Sequence, residues 1–198
     1  MLRTVSIVGG ARFSAIPRIP GEADVLVLMN HQSLMDIPLV VAAIQGTYPR
    51  IVTRARYARG KPLISHMVRL YQYPTVEPGA TVRGQVAALG EAARTSAVPI
   101  VIYPEGTRTR TGAIGSFRTL GLRTVLAERR WQVWLLVTDG TWRAARLVDF
   151  LENVSQIRGR AVALGPFPSP DPGDDVDGFI ALVRERMEDA LAGLRDDA

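Results

Sequence analysis

Cysteine is absent from this chain, and histidine occurs only twice. Without thiols there is no disulfide framework, no thiolate metal site and no cysteine nucleophile, and two histidines cannot build a three-histidine metal centre. A reducing compartment is the expectation. Long apolar runs are missing too, since nowhere do roughly 18 apolar residues stand together. The first twenty residues hold three arginines, and their apolar stretch is broken at Gly9 and Gly10. They read as neither a signal peptide nor a membrane span. What remains is ordinary: 47% hydrophobic and 22% charged residues over 198 positions, with 13 prolines and 18 glycines, which excludes collagen-like, disordered and coiled-coil chains and fits one domain with a real core.

Lysine is nearly absent, Lys61 being the only one, so the positive charge is arginine. It is unevenly placed. Met1 to Pro170 holds 21 basic and 10 acidic residues, whereas Asp171 to Ala198 holds 3 and 9. A basic body with arginine's planar fork suits phosphate or carboxylate partners: nucleic acid, anionic lipid headgroups, or phosphate-bearing small molecules. Composition alone does not choose among them.

Apolar runs and turn residues predict alternating strands and helices. Asp24 to Asn30 reads as a buried strand, followed by a helix over Ile37 to Ile44 with Ser33 and Asp36 as first-turn or capping residues. Ile51 to Arg54 reads as a second strand, Pro62 to Leu70 as helix, Tyr73 to Val76 as extended, Thr81 to Ser96 as an alanine-rich helix and Pro99 to Tyr103 as a strand. Glu105 to Thr119 is a loop, Leu120 to Arg129 a helix, Val133 to Val137 a strand and Arg160 to Leu164 a late strand; Trp142 to Val154 is ambiguous. The first 23 residues read as irregular, and residues 165–173 as a Pro/Gly connector without regular structure. Residues 174–194 form a closing amphipathic helix on Phe179, Val183, Met187, Ala190 and Leu194. The alternation indicates one α/β domain, a mixed sheet flanked by helices.

Two segments carry chemistry. The first is Asn30-His31-Gln32-Ser33-Leu34-Met35-Asp36, where a strand ends and a helix begins, the place where α/β sheets put their sites. There Asp36 can fold back and bond one imidazole nitrogen of His31, leaving the other as a base. The plain alternative is that Ser33 and Asp36 only cap a helix. The second is Tyr103-Pro104-Glu105-Gly106-Thr107-Arg108. Pro104 stops the strand, Gly106 allows a sharp turn, and Glu105 and Arg108 reach the rim together. Taken alone, they could be a surface ion pair worth about 0–1 kcal/mol.

In order, the two segments resemble the paired signature of the glycerolipid acyltransferases, N-H-x-S-x-x-D followed by F-P-E-G-T-R. The resemblance spans roughly Asp24 to Leu194. It implies direct transfer of an acyl group from acyl-coenzyme A or acyl carrier protein to a hydroxyl of a lysophospholipid-like acceptor, with no cofactor beyond that co-substrate and no metal. His31 would be the general base and Asp36 its orienting acid. Asn30, Ser33, Glu105, Gly106, Thr107, Arg108 and Arg54 would serve substrate binding. Backbone amides near Gln32 and Ser33 are the expected donors to the oxyanion, on physical grounds.

This sequence also departs from that pattern. Where G-x-[IF]-F-I-x-R is expected, Leu70 to Glu77 reads LYQYPTVE, with Glu77 near the position of the phosphate-holding arginine. Arg54, Arg56, Arg69 and Arg83 are the available substitutes. The block V-P-[IV]-[IV]-P-V is replaced by WQVWLL over Trp131 to Leu136, and Trp131 and Trp134 read first as packing residues. Nor is there a hydrophobic N-terminal segment of the sort many relatives use to enter the bilayer. The expectation is a cytoplasmic protein in peripheral contact with the inner face of the cell membrane. Two rival readings are a catalytically inactive membrane-associated relative and a basic nucleic-acid-binding module, the latter prompted by six arginines between Arg108 and Arg130. No nucleic-acid signature accompanies those arginines, and His66 reads as a structural or surface residue, so no nucleic acid is expected among the partners.

Overall fold

The computed structural model describes residues 10–60, 64–76, 81–145, 147–171 and 174–196. In chain order the elements are Arg12–Phe13 (β1), Val25–Met29 (β2), Asp36–Ala43 (α1), Arg50–Ile51 (β3), Thr53–Arg54 (β4), Ile64–Leu70 (α2) and Thr75–Val76 (β5). Then come Val82–Thr95 (α3), Ile100–Ile102 (β6), Thr119–Glu128 (α4), Gln132–Asp139 (β7), Leu147–Asn153 (α5), Arg158–Pro168 (β8) and Val176–Asp196 (α6). Six strands form one sheet in the order β1-β8-β7-β2-β6-β3, and β4 and β5 form a parallel pair beside it. Strands β7, β2, β6 and β3 run parallel, whereas β8 lies antiparallel to β7, so the sheet is mixed.

Strand β2 reads VLVLM with every side chain buried, the pattern of a central parallel strand covered on both faces. Because side chains alternate across a strand, Leu26 and Leu28 enter one core layer with α3, α4 and α6. Val25, Val27 and Met29 enter the opposite layer with α1 and α2. The closing helix buries Ile180, Val183, Met187 and Leu191, with Phe179, Ala190 and Leu194 partly buried on its flanks.

Three sequence expectations change. Ile51 to Arg54 is not one strand: the chain leaves the main sheet at Val52, so that β3 pairs with β6 and β4 with β5. Strand β8 runs on through Pro168, past the start of the expected connector. Prolines are tolerated there because this stretch lies at the sheet edge, and Gly165 and Pro166 together face the single residue Trp134 in a bulge. Finally, the irregular N-terminal segment contributes β1, parallel to β8, and a bridge from Ile19 to Ile44.

Candidate active site

Three loops meet beyond the carboxyl ends of β2, β6 and β7, and the first carries His31. Asp36 is the first residue of α1 and is fully buried; its Oδ2 accepts hydrogen bonds from His31 Nδ1 at 2.7 Å, Gln32 N at 2.7 Å and Ser33 N at 2.9 Å. A carboxylate at a helix N-terminus is favoured by the helix dipole. Since Nδ1 donates to it, the free lone pair of the imidazole lies on Nε2. The Tyr103 ring stacks on that imidazole, centroids 4.3 Å apart and planes 26° from parallel. Burial, followed by the nearby charge of Asp36, holds the Tyr103 phenol well above its usual pKa, so it stays protonated.

Glu105 ties the second loop to the first. It is 5% exposed, with Oε1 accepting from His31 N at 2.9 Å and Oε2 from Gly115 N at 2.7 Å. Thr109 N adds a bond to His31 O at 2.8 Å. Burial raises the Glu105 pKa above the usual carboxylate range, the two amide bonds opposing it. Gly106 turns the chain with φ of 63°, and a Cβ there would meet Arg118 Cδ at 2.8 Å. Its carbonyl accepts from Arg54 Nη2 at 2.7 Å. Arg108 donates to Ala145 O.

The third loop braces the first from behind. Gln32, fully buried, donates to Asp139 Oδ1 at 3.1 Å and to Gly112 O at 3.4 Å, and its Oε1 accepts from Thr141 N at 3.2 Å. Arg195, in the last turn of α6, reaches the same carboxylate with Nη2 at 3.1 Å and Nε at 3.2 Å, and bonds Gly112 O at 2.8 Å. Burial pushes the Asp139 carboxyl up, but the hydrogen bonds from Arg195 and Gln32 outweigh it and its pKa is lowered.

His31 opens onto a cavity of about 370 Å³ whose walls include Ile51, Val52, Val86, Leu89, Ile102 and Leu122. Its polar lining includes three guanidinium groups, Arg54, Arg108 and Arg118. Apolar walls with a few convergent polar groups are what a ligand site requires. The departure of the chain at Val52 helps to open this space, because residues of β3, β4 and β5 all line it.

The residues named from sequence divide into two groups. His31, Ser33, Gly106, Arg108 and Arg54 line the cavity. Asn30 is spent inside the fold, its amide exchanging bonds with Thr138 N and O at 2.8 and 2.9 Å and so extending the β2–β7 ladder by one step. Glu105 is likewise committed to two amides, and Thr107 is exposed, away from the cavity lining. The amides of Gln32 and Ser33 do not serve an oxyanion, because both are already bonded to Asp36. Of the four substitute arginines only Arg54 reaches the cavity, while Arg56, Arg69 and Arg83 are exposed elsewhere. Glu77 lies outside the described residues. Trp131 is 2% exposed in the core, donating to Val125 O at 2.8 Å. Sequence reasoning missed Arg118, hidden in the arginine-rich stretch, and the Arg195–Asp139 brace, which joins positions 56 apart and leaves no local signal. Among the described residues no group of three His, Asp or Glu side chains could hold a metal ion.

The sequence model of the family described as Acyltransferase matches residues 11–133. Among solved structures the chain is similar to the 1-acyl-sn-glycerophosphate (LPA) acyltransferase PlsC from Thermotoga maritima. The TM-score is 0.73, covering 98% of this chain and 76% of that one, at 18% sequence identity. At that identity the likeness is one of fold. A search of the curated proteins finds no match.

Proposed function

This chain belongs to the acyltransferase family, and from that premise we propose that it esterifies a hydroxyl of a lysophospholipid-like acceptor, using an acyl thioester of coenzyme A or of acyl carrier protein. The observation that carries this reading is the His31–Asp36 pair at 2.7 Å, buried on the acid side and open on the base side to an apolar cavity bearing three arginines.

In this reading Nε2 of His31 removes the proton from the acceptor hydroxyl while Asp36 stabilises the imidazolium. The oxygen attacks the thioester carbonyl carbon, giving a tetrahedral oxyanion. As that collapses, the C–S bond breaks and the proton on Nε2 passes to the departing thiolate. Neither substrate becomes bonded to the protein. General-base help of this kind contributes about a hundred- to ten-thousand-fold. The cavity's apolar walls suit an acyl chain, and Arg54, Arg108 and Arg118 suit a phosphate on donor or acceptor and the charge developing on the carbonyl oxygen. Arg54 stands in for the arginine that the second block lacks.

The arginines between Arg108 and Arg130 do not gather on one face. Arg123 pairs with Asp177, Arg130 with Asp171, and Arg129 covers the Trp131 ring at 4.0 Å. This dispersal favours the lipid reading over a nucleic-acid one. Among the described residues no helix is long and apolar enough to cross a membrane, and the reading places the protein at a membrane surface facing the cytoplasm. The test supplies acyl-coenzyme A or acyl carrier protein with a panel of lysolipids, following thiol release and new ester together. Matched thiol and ester yields on at least one lysophospholipid are expected; silence across the panel would reject the proposal.

A further inference from the structure

We propose that Tyr103 is a positioning residue for the base: its phenol is the hydrogen-bond donor to the second oxygen of Asp36, through one bridging water, and thereby sets the pH at which His31 gives up its proton. This rests on the reading of His31 as the base. The starting point is an imbalance within one carboxylate. Asp36 Oδ2 accepts three hydrogen bonds, whereas Oδ1, buried too, has no partner among the described residues. The hydroxyl of Tyr103 is likewise buried and likewise without a partner among them.

Both groups are neighbours of the same imidazole. Asp36 holds its Nδ1 edge at 2.7 Å, and the Tyr103 ring lies against its face with centroids 4.3 Å apart. That ring borders the cavity and packs on the core layer of α1 and α2, with its hydroxyl shut away from solvent. After burial itself, the charge of Asp36 is what acts most on this phenol. An enclosed carboxylate oxygen and an enclosed hydroxyl each carry a desolvation cost unless they are bonded, and buried phenols usually find a partner. Here one is an acceptor lacking a donor and the other a donor lacking an acceptor. They are not bonded to each other, so the link is a water, the ordinary means of satisfying enclosed polar groups. A phenylalanine would supply the same ring without that cost. The family pattern has F at this place, so the hydroxyl is an addition to it.

The chemical consequence has a sign. A donor on Oδ1 draws charge away from Oδ2, so the carboxylate grips the Nδ1–H of an imidazolium less strongly. Without that donor the charge facing Nδ1 is greater and the protonated ring is favoured. The other charged or titratable groups around the pair are Glu105, which takes the His31 amide, and Arg54, Tyr57, Arg108 and Arg118 in the cavity lining. Tyr48 and Tyr73, with hydroxyls 3.0 Å apart, also act on the Tyr103 phenol. Replacing one hydroxyl by hydrogen leaves all of these in place.

The chain has only two histidines, His31 and the exposed His66, so imidazole NMR of the full chain follows each of them directly. In Tyr103→Phe, checked for folding by thermal melting, the titration midpoint of His31 should rise by about half a pH unit or more, with His66 unmoved. Site-specific Tyr103→3-fluorotyrosine, a more acidic phenol and so a stronger donor, should shift it the other way. The ascending limb of kcat/KM for acyl transfer should follow the same two shifts. A His31 midpoint that stays put or falls in Tyr103→Phe, one that rises with both replacements, or one that His66 matches would each overturn the proposal. Midpoints that follow donor strength in a protein that transfers no acyl group would uphold the positioning role and reject the reaction.

Discussion

One oxygen of Asp36 accepts three hydrogen bonds, and that convergence does two things at once. It folds the loop over the helix end, and it fixes which nitrogen of His31 is basic. Capping and catalysis are therefore not competing readings of this carboxylate. Asp139 is its counterpart one layer back. Its lowered pKa gives stability that is fully present above the ordinary carboxylate range, near pH 4, and is lost as pH falls through the lowered folded value. Asp139→Asn should cost about 1–3 kcal/mol at neutral pH by urea unfolding. That gap should narrow below about pH 4, and a gap independent of pH would contradict the account. The Asp36 arrangement was legible because its five-residue reach is local, whereas the Arg195–Asp139 brace depends on how α6 docks and was not.

Among the elements, β7 carries the heaviest positional load, since it pairs with β2 and β8 and ends at Asp139. Gly140 makes that ending possible. Its φ is 84°, and a Cβ there would lie 1.9 Å from Arg158 O, against the first residue of β8. Gly140→Ala should therefore destabilise by on the order of 1–3 kcal/mol or more in chemical unfolding; wild-type stability would show that the turn has another solution. The strands that sequence located well, β2, β6 and β7, are apolar and buried, so their pattern is strong. Those it misjudged are edge pieces. β8 continues through prolines because an edge can spare donors, and β1 is two residues long and exists only through pairing with a partner about 146 positions away. The break at Val52 was invisible because both halves are equally extended, and only the choice of partner separates them.

At the scale of the whole molecule, the three loops and the cavity lie at one end of the sheet. The sheet delivers His31, Glu105 and Asp139 to one end, where Arg54, Arg108 and Arg118 line the cavity beside His31. Fold class and the two motif loops could be read from sequence because each depends on short spacings. The cavity could not, since it arises from the fork between two sheets. The proposed function accounts for these features together, as transfer of an acyl group by a base acting on the acceptor's own hydroxyl, with no covalent stop on the protein.

The measurement that bears most directly on this is single-turnover acyl transfer by the wild type and by His31→Ala, with the intact protein mass recorded during wild-type turnover. The account predicts a rate about a hundred- to ten-thousand-fold lower in the variant, and no acyl mass on the wild type at any time. A wild-type rate in His31→Ala, or an acylated protein that forms and decays with turnover, would contradict it.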